Sequence, residues 1–332
     1  MKTISEKQLT NFQSFIDSHK AFVICGHKEP DGDCIASSLG LAKILDFYKK
    51  PYQVLNAGPF KRTETKSFEK LFKNHFVRQT NKLEDTGLFM VDCSESFRLG
   101  DMESQLQHLD CFIIDHHKTA SSDETKSIID SSAPAAACIV QQLVEKTIGK
   151  LDKETADILF FGLATDTGFF KFLDENSSDI FILASHLVEA GANPRKTYDF
   201  ITSGKPFLTR KLLGATLDKT QSYFNGKLII ATETMEDTHN FGSEGRDSDA
   251  LYSLLLAVEK VEAVVFVRQE TDKTCTLGFR SRDEIDVSAI ASCFGGGGHK
   301  NASGACTTGT IENIIPKLKQ EFEKILSFFY VF

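Results

Sequence analysis

Residues 21–34 read Ala21-Phe22-Val23-Ile24-Cys25-Gly26-His27-Lys28-Glu29-Pro30-Asp31-Gly32-Asp33-Cys34, and this stretch decides the fold. Ala21 to Cys25 are consecutive small and apolar residues, the pattern of a short strand covered on both faces. From about Cys34, the residues Ile35, Leu39 and Leu41 with small Ala36 and Gly40 mark a helix. The loop between them carries one imidazole and two carboxylates. Pro30 and Gly32 hold it in a tight turn, so His27, Asp31 and Asp33 can point into one space. In an open α/β sheet that space lies at the carboxyl ends of the strands, where ligands bind. An imidazole with carboxylates is a donor set for Mn2+, Zn2+ or Fe2+, whereas Mg2+ prefers oxygen alone. Taken alone, the stretch reads equally well as a turn beside a surface histidine. Other stretches must choose.

Leu88-Phe89-Met90-Val91 is another apolar run of strand length and ends in Asp92. Cys111-Phe112-Ile113-Ile114 is a further one and ends in Asp115-His116-His117. Three buried strands that each terminate in metal-capable side chains are hard to explain as surface decoration. Around them the periodicity predicts an amphipathic helix over Ser5–Ser18, a strand over Pro51–Asn56 and a short strand over Ile128–Asp130. A helix starting at Ser132 and Pro134 runs to about Ile148, where Gly149 stops it. Lys153–Thr165 is the next helix and delivers Asp166, and Ser178–Ala190 follows. The alternation implies an α/β fold with a doubly wound, mostly parallel sheet. Phe60–Lys73 carries Lys61, Arg62, Lys66, Lys70 and Lys73. Its ordinary reading is a solvated helix face rather than a phosphate patch.

After residue 195 the pattern changes. A long connecting helix is expected over Pro206–Tyr223, then strands at Lys227–Thr232, Val261–Arg268 and Cys275–Arg280. Helices are expected at Asp247–Lys260 and Asp286–Phe294, and a final one at Ile311–Phe328. We therefore divide the chain into a catalytic domain (1–195), a helical linker (196–224) and a smaller mixed α/β domain (225–332). The run Gly295-Gly296-Gly297-Gly298-His299 by itself reads as a flexible loop.

The 332 residues allow two domains with a real core in each. The 28 phenylalanines are spread along the chain, which marks them as core filling rather than a base-stacking array. A formal charge of −8 argues against a protein that tracks long polyanions. It suits a small or short anionic substrate met by local positive groups. Eight cysteines without Cys-x-x-Cys spacing indicate neither a zinc knuckle nor a disulfide framework. No run has signal-peptide character or approaches the ~20 apolar residues of a membrane span, so a cytoplasmic location and no membrane partner are expected. The apolar end, Leu326–Phe332, is expected to pack on its own domain, with a homodimer contact left open.

Together, Asp115-His116-His117 after a buried strand, His27-x-x-x-Asp31-x-Asp33, Asp92 and Asp166 resemble the DHH phosphoesterase superfamily. Gly278-Phe279-Arg280-Ser281, Asp286-Val287-Ser288, the glycine run, His299 and Gly304 are similar to the DHH-associated C-terminal domain. Within the superfamily the pattern resembles the nano-RNases that also act as phosphatases of 3′-phosphoadenosine 5′-phosphate (pAp). Two departures are small: Ala36 stands where a glycine is expected, and Cys34 adjoins a ligand. The resemblance implies two divalent metal ions, Mn2+ foremost. His27, Asp31 and Asp92 would hold one, and Asp33, Asp92, His116 and Asp166 the other. Two such cations suit in-line displacement at phosphorus by a shared, activated water. Asp115 would orient a ligand histidine, and His117 would face the scissile phosphate. Gly296, Gly297, Gly298 and His299, with Arg280 and Ser281, would hold the 5′-phosphate end of a substrate, glycines allowing close backbone approach.

The resulting expectation is a hydrolase of short 5′-phosphorylated oligoribonucleotides and of pAp, with the 3′-oxygen leaving in each case. A phosphodiesterase of linear or cyclic dinucleotides is the second enzymatic reading. A RecJ-type exonuclease fits an acidic chain without extra nucleic-acid modules poorly. A family II pyrophosphatase lacks the glycine-rich C-terminal pattern. A non-catalytic nucleotide- or RNA-binding regulator would be marked by a lost ligand, and none is lost.

Overall fold

Ser5 caps the first helix of the chain. Its hydroxyl accepts from the Gln8 amide while the Gln8 side-chain oxygen accepts from the Ser5 amide, closing a capping box at the start of α1 (Glu6–Ser18). The structure, a computed structural model, describes residues 1–78, 83–117, 123–242, 246–282 and 285–326. Residues 327–332, the apolar end, therefore lie outside the described residues. The chain divides into two compact units, Met1–Gly204 and Lys205–Phe332.

In the first unit the apolar runs become β1 (Ala21–Gly26), β2 (Tyr52–Leu55), β3 (Thr86–Val91), β4 (Asp110–Asp115) and β5 (Ser127–Ile129). They form one parallel sheet in the order β2-β1-β3-β4-β5. Every residue of β1 and β3 is buried, as unbroken apolar runs require. Between the strands run α2 (Gly32–Phe47) and the single turn α3 (Glu103–Leu106), and after β5 come α4 (Ala136–Ile148), α5 (Lys153–Asp166), α6 (Ser178–Glu189) and α7 (Pro194–Thr202). On one face Phe12, Phe15, Phe22, Phe89 and Phe112 interleave with ring centroids 5.1–6.1 Å apart. Truncating one such ring to alanine costs about 3–5 kcal/mol, a large share of the ~5–15 kcal/mol that holds a domain folded.

Strand order reverses between β1 and β3, and that switch point opens a crevice at their carboxyl ends. The helices behind it approach closely. A Cβ on Gly162 of α5 would meet Ala36 of α2 at 2.5 Å. The alanine found where a glycine was expected is thus accommodated by a glycine on the facing helix.

The expected start of α4 differs. Ser132 and Pro134 stop short of it, and its N-cap, Ala135, offers no side-chain hydrogen bond. Instead the Asp33 carboxylate, from α2, accepts from Ala136 N at 2.6 Å and Ala137 N at 2.8 Å. The orphan amides of this helix are satisfied through space rather than locally. Phe60–Lys73 also departs from a continuous helix face. Only Lys66–Leu71 winds into a 3-10 turn, while Phe60, Glu64 and Thr65 are buried.

The second unit holds α8 (Phe207–Asp218), β6 (Gln221–Tyr223), β7 (Leu228–Glu233), α9 (Met235–Phe241), α10 (Ser248–Leu256), β8 (Ala263–Thr271), β9 (Thr274–Ser281), α11 (Val287–Cys293), β10 (Gly297–His299), β11 (Ala302–Thr308) and α12 (Ile311–Leu326). Its sheet runs β10-β11-β9-β8-β7-β6, parallel only between β7 and β8. The long helix expected to Tyr223 ends at Asp218, because Gln221–Tyr223 pair antiparallel with β7. Leu213 and Leu217 of α8 pack on Ile229, Leu251 and Tyr252 of the same unit. The glycine run is no slack loop either. Gly297, Gly298 and His299 form an edge strand paired with Gly304, Ser303 and Ala302. Gly298 has φ 145°, and a Cβ there would strike the Ala302 carbonyl at 2.7 Å, so the hairpin requires glycine.

Candidate metal centre

Each side chain at the crevice is placed by the end of an element. His27 follows β1, Asp31 caps α2, Asp33 lies in its first turn, Asp92 follows β3, Asp115 ends β4 with His116 and His117 after it, and Asp166 ends α5. Asp92 adopts φ 56°, a left-handed conformation uncommon for a residue with a side chain. Its amide nevertheless donates to Ile114 O at 2.9 Å, so the backbone is held while the carboxylate turns inward.

Asp92 stands between two histidines. Its Oδ2 lies 3.2 Å from His27 Nε2, and its Oδ1 lies 3.4 Å from His116 Nε2. His116 Nε2 is also 3.5 Å from Asp166 Oδ2 and 3.8 Å from Asp33 Oδ2. Asp31 Oδ1 is 3.7 Å from His27 Nε2 while it accepts the amides of Asp33 and Cys34 at the helix start. The other nitrogen of each histidine faces a backbone oxygen, His27 Nδ1 to Lys28 O at 2.9 Å and His116 Nδ1 to Ala133 O at 3.2 Å. Those contacts turn both Nε2 atoms toward the carboxylates. His117 differs: its Nδ1 donates to Asp115 Oδ1 at 2.8 Å, which leaves its Nε2 unused by that contact. The same Asp115 oxygen accepts the amides of His116 and His117, fixing the whole turn.

Two atoms at the centre, Asp92 Oδ1 and His116 Nε2, are buried yet make no hydrogen bond among the described residues. Such atoms are costly unless another ligand completes them. Protonation tells the same story. Burial opposes charge on His27, but contacts with Asp31 and Asp92 raise it to about 10. Burial likewise opposes His116, and Asp92, Asp33 and Asp166 raise it to about 10. Burial and then the charges of Asp31 and Asp92 push Asp166 up to about 7, and burial with Asp92 and Asp166 pushes Asp33 well above the usual range. Asp31 goes the other way: although burial opposes it, His27 holds it below the ordinary carboxylate range. Asp115 is also lowered, because its contacts with His117 outweigh burial. The carboxylates gathered here draw protons onto both imidazoles and onto Asp33, which is the pull that bound cations would answer.

The donor set fits divalent cations. Donor atoms of His27, Cys34 and Asp92, of Asp92, His116 and His117, and of Asp33, His116 and Asp166 lie within 4.8 Å of one another in each group. Asp92 joins the first two groups and His116 the last two. Asp33 spends one lone pair of each oxygen on α4 and keeps others, since a carboxylate offers about four. Nitrogen and carboxylate donors in this mixture suit Mn2+, Fe2+ or Zn2+.

One residue was not singled out by sequence. Arg62, from the segment read as a solvated face, carries a charge that adds to the lowering of Asp31 and offsets part of the rise of Asp166. A lone arginine in a lysine-rich stretch gives no signal of that placement. The proposed substrate-binding residues lie in the second unit. His299 is exposed on β10, with Gly297 and Gly298 beside it and Gly296 just before. Arg280 on β9 lies over the Tyr252 ring, 4.7 Å from its centroid. Ser281 is buried, its hydroxyl donating to Ile285 O at 2.6 Å.

Residues 21–163 match the DHH family, N-terminal domain, and residues 208–327 match the DHHA1 domain. Over 307 residues the chain is 29% identical to the bifunctional oligoribonuclease and PAP phosphatase NrnA of Thermus thermophilus, covering 91% of this chain and 87% of that protein. It is 25% identical to the cyclic-di-AMP phosphodiesterase PdeA of Listeria monocytogenes, covering 86% of this chain but 45% of that protein. Among solved structures, an exopolyphosphatase-related protein from Bacteroides fragilis shares the fold with a TM-score of 0.84 at 23% identity, covering 98% of this chain and 99% of the other.

Proposed function

We propose, for a chain that belongs to the DHH family of phosphoesterases, that it hydrolyses short 5′-phosphorylated oligoribonucleotides to mononucleotides and pAp to AMP and phosphate. The observation that carries this reading is similarity along nearly the whole chain to a bifunctional oligoribonuclease and PAP phosphatase, across both units. The crevice supports it, because its donors converge where an α/β sheet binds ligands.

In this reading His27, Asp31 and Asp92 hold one divalent cation, and Asp33, Asp92, His116 and Asp166 a second. Bound there, the cations would supply positive charge to the phosphorus under attack and to the leaving 3′-oxygen, and would lower the pKa of the attacking water. Asp115 keeps the Nδ1 proton of His117 in place, so that Nε2 presents its lone pair toward the crevice. His117, more open than the other two histidines, is then placed to take a proton from water or to contact a phosphate oxygen. Arg62 adds a cation at the rim. Arg280, His299 and the Gly296–Gly298 backbone hold the 5′-phosphate of the first nucleotide, which explains how one enzyme serves both substrates. The bond broken is always the 3′ ester, whether its phosphate carries a further nucleoside or none.

Among the described residues no helix is long and apolar enough to cross a membrane. We place the reaction in the cytoplasm.

The partial match to a cyclic-di-AMP phosphodiesterase favours one second reading, cleavage of cyclic or linear dinucleotides. A panel of pAp, pApA, longer 5′-phosphorylated RNAs and cyclic di-AMP, assayed with Mn2+, separates the two. The proposal expects pAp and pApA to be turned over fastest, with rates falling as length grows. Preference for cyclic di-AMP would move the assignment to the second reading, and no product from any member would overturn both.

A further inference from the structure

One thiol stands among these oxygens and nitrogens. Cys34 lies in the first turn of α2, directly after Asp33, and is fully buried. Its Sγ, a ring nitrogen of His27 and a carboxylate oxygen of Asp92 all lie within 4.8 Å of one another. Gly26 makes the room: a Cβ at that position would come within 2.3 Å of the sulfur. Among the described residues the thiol's hydrogen bond is to His27 O at 3.9 Å, at the outer limit even for sulfur. A small apolar filler would serve equally well if packing were all that was needed. Asp92, 2% exposed, turns its Oδ2 to His27 Nε2 at 3.2 Å, and its Oδ1, toward His116, has no hydrogen-bond partner among the described residues.

We propose that Cys34 is a direct donor to the cation held between His27 and Asp92, and that it gives this position a preference for thiophilic divalent ions over Mn2+. The inference rests on the reading of the crevice as a metal centre. A thiolate is the softest donor in the cluster and binds Zn2+, Co2+ or Cd2+ far better than it binds Mn2+. On binding, the S–H bond breaks, a sulfur–metal bond forms and the proton leaves to solvent, with no change of oxidation state. The two cation positions thereby become chemically unlike: one is edged by sulfur, and the other is built from oxygen and imidazole nitrogen alone.

Co2+ reports on both halves of the statement. Titrated into the metal-free full chain, it should give visible d–d absorption bands, which mark a protein-bound ion. A near-ultraviolet thiolate-to-cobalt charge-transfer band should accompany them. Cobalt-edge X-ray absorption should find a sulfur neighbour at about 2.3 Å, the length typical of such bonds to zinc. Cys34→Ser should keep the d–d bands and lose the charge-transfer band. Its affinity for Co2+ relative to Mn2+ should fall by at least the roughly 10–100-fold that loss of a mere supporting group costs. Charge transfer that persists in Cys34→Ser, or d–d bands in the wild type without a sulfur neighbour, would overturn the role of Cys34 and leave the metal centre standing. Absence of any bound Co2+ or Mn2+ would overturn the metal centre itself. Should Cys34→Ser fail to fold, the absorption edge of the wild-type protein still decides.

Discussion

The crevice at the ends of β1, β3 and β4 and the hairpin of β10 and β11 meet water in opposite ways. Asp33, Asp92 and Asp115 are buried and crowded, and among the described residues Asp92 Oδ1 and His116 Nε2 find no hydrogen-bond partner. Gly297, Gly298 and His299 are exposed along a sheet edge whose backbone is already paired with β11. In the proposed reading cations complete the first arrangement, and burial strengthens every charge in it. The second is complete alone and offers amides and an imidazole that a passing anion can reach and leave. In the proposed reading, reactivity falls where dielectric screening is low, and recognition where exchange is easy.

That contrast breaks most decisively at Asp92. Asp92→Ala removes the carboxylate that stands between His27 and His116, so turnover of every substrate should vanish and Mn2+ bound per chain should fall. Full activity in this variant, measured beside metal content, would remove the bridging role.

The hairpin should show a smaller and selective effect. A charge-assisted hydrogen bond contributes roughly 1.5–3 kcal/mol, which corresponds to roughly 10–150-fold. His299→Ala should lower kcat/KM on pAp and pApA by that factor. A small activated diester without a 5′-phosphate should be hydrolysed almost as before. Equal losses on both substrates would move His299 into the chemistry and erase the distinction between the regions.

Asp115 tests the inside of the crevice. Asp115→Asn keeps the shape but weakens the hold on the His117 ring, so rate or metal affinity should fall roughly 10–100-fold. A variant as inactive as Asp92→Ala at saturating Mn2+ would promote Asp115 to a metal ligand.

The smallest effect is thermal. His27 and His116 are raised to about 10 and Asp166 to about 7, so the metal-free folded state binds more protons than the unfolded chain. Stability from the two histidines is fully present below their ordinary value of about 6.5 and is lost as pH climbs toward their folded value. Metal-free protein should therefore melt at lower temperature as pH rises from about 6.5 to 9, while Mn2+ takes over the same atoms. The rise in Tm on adding Mn2+ should grow across that range. A shift independent of pH would mean that the cation binds elsewhere.

Much of the fold could be read from composition along the chain, because a strand buried on both faces must be apolar throughout and its first polar residue marks its end. His27, Asp92 and Asp115 stand immediately after such runs, and the sheet brings these ends together. What could not be read depends on partners distant in sequence. The start of α4 is set by Asp33, more than a hundred residues away, so Ser132 and Pro134 pointed too early. The glycine run becomes a strand only because β11 returns beside it. The charge of Arg62 is felt by Asp31 and Asp166, although its segment has no periodic signature that would single it out. Nothing in the local pattern around Gln221 announces an edge strand, which appears where β7 offers it a partner.

Asp33 also constrains how such a protein could lose its activity. Its carboxylate is the cap of α4 as well as a neighbour of His116, so discarding it would fray a helix that forms part of the core. Asp166 and His116 carry no comparable duty to a helix start. A descendant turned from enzyme into inert scaffold would shed those two early and keep Asp33 for the sake of folding alone. Retention of Asp33 is consequently poor testimony that a related chain still works, and its removal is a poor way to prepare an inactive but intact one.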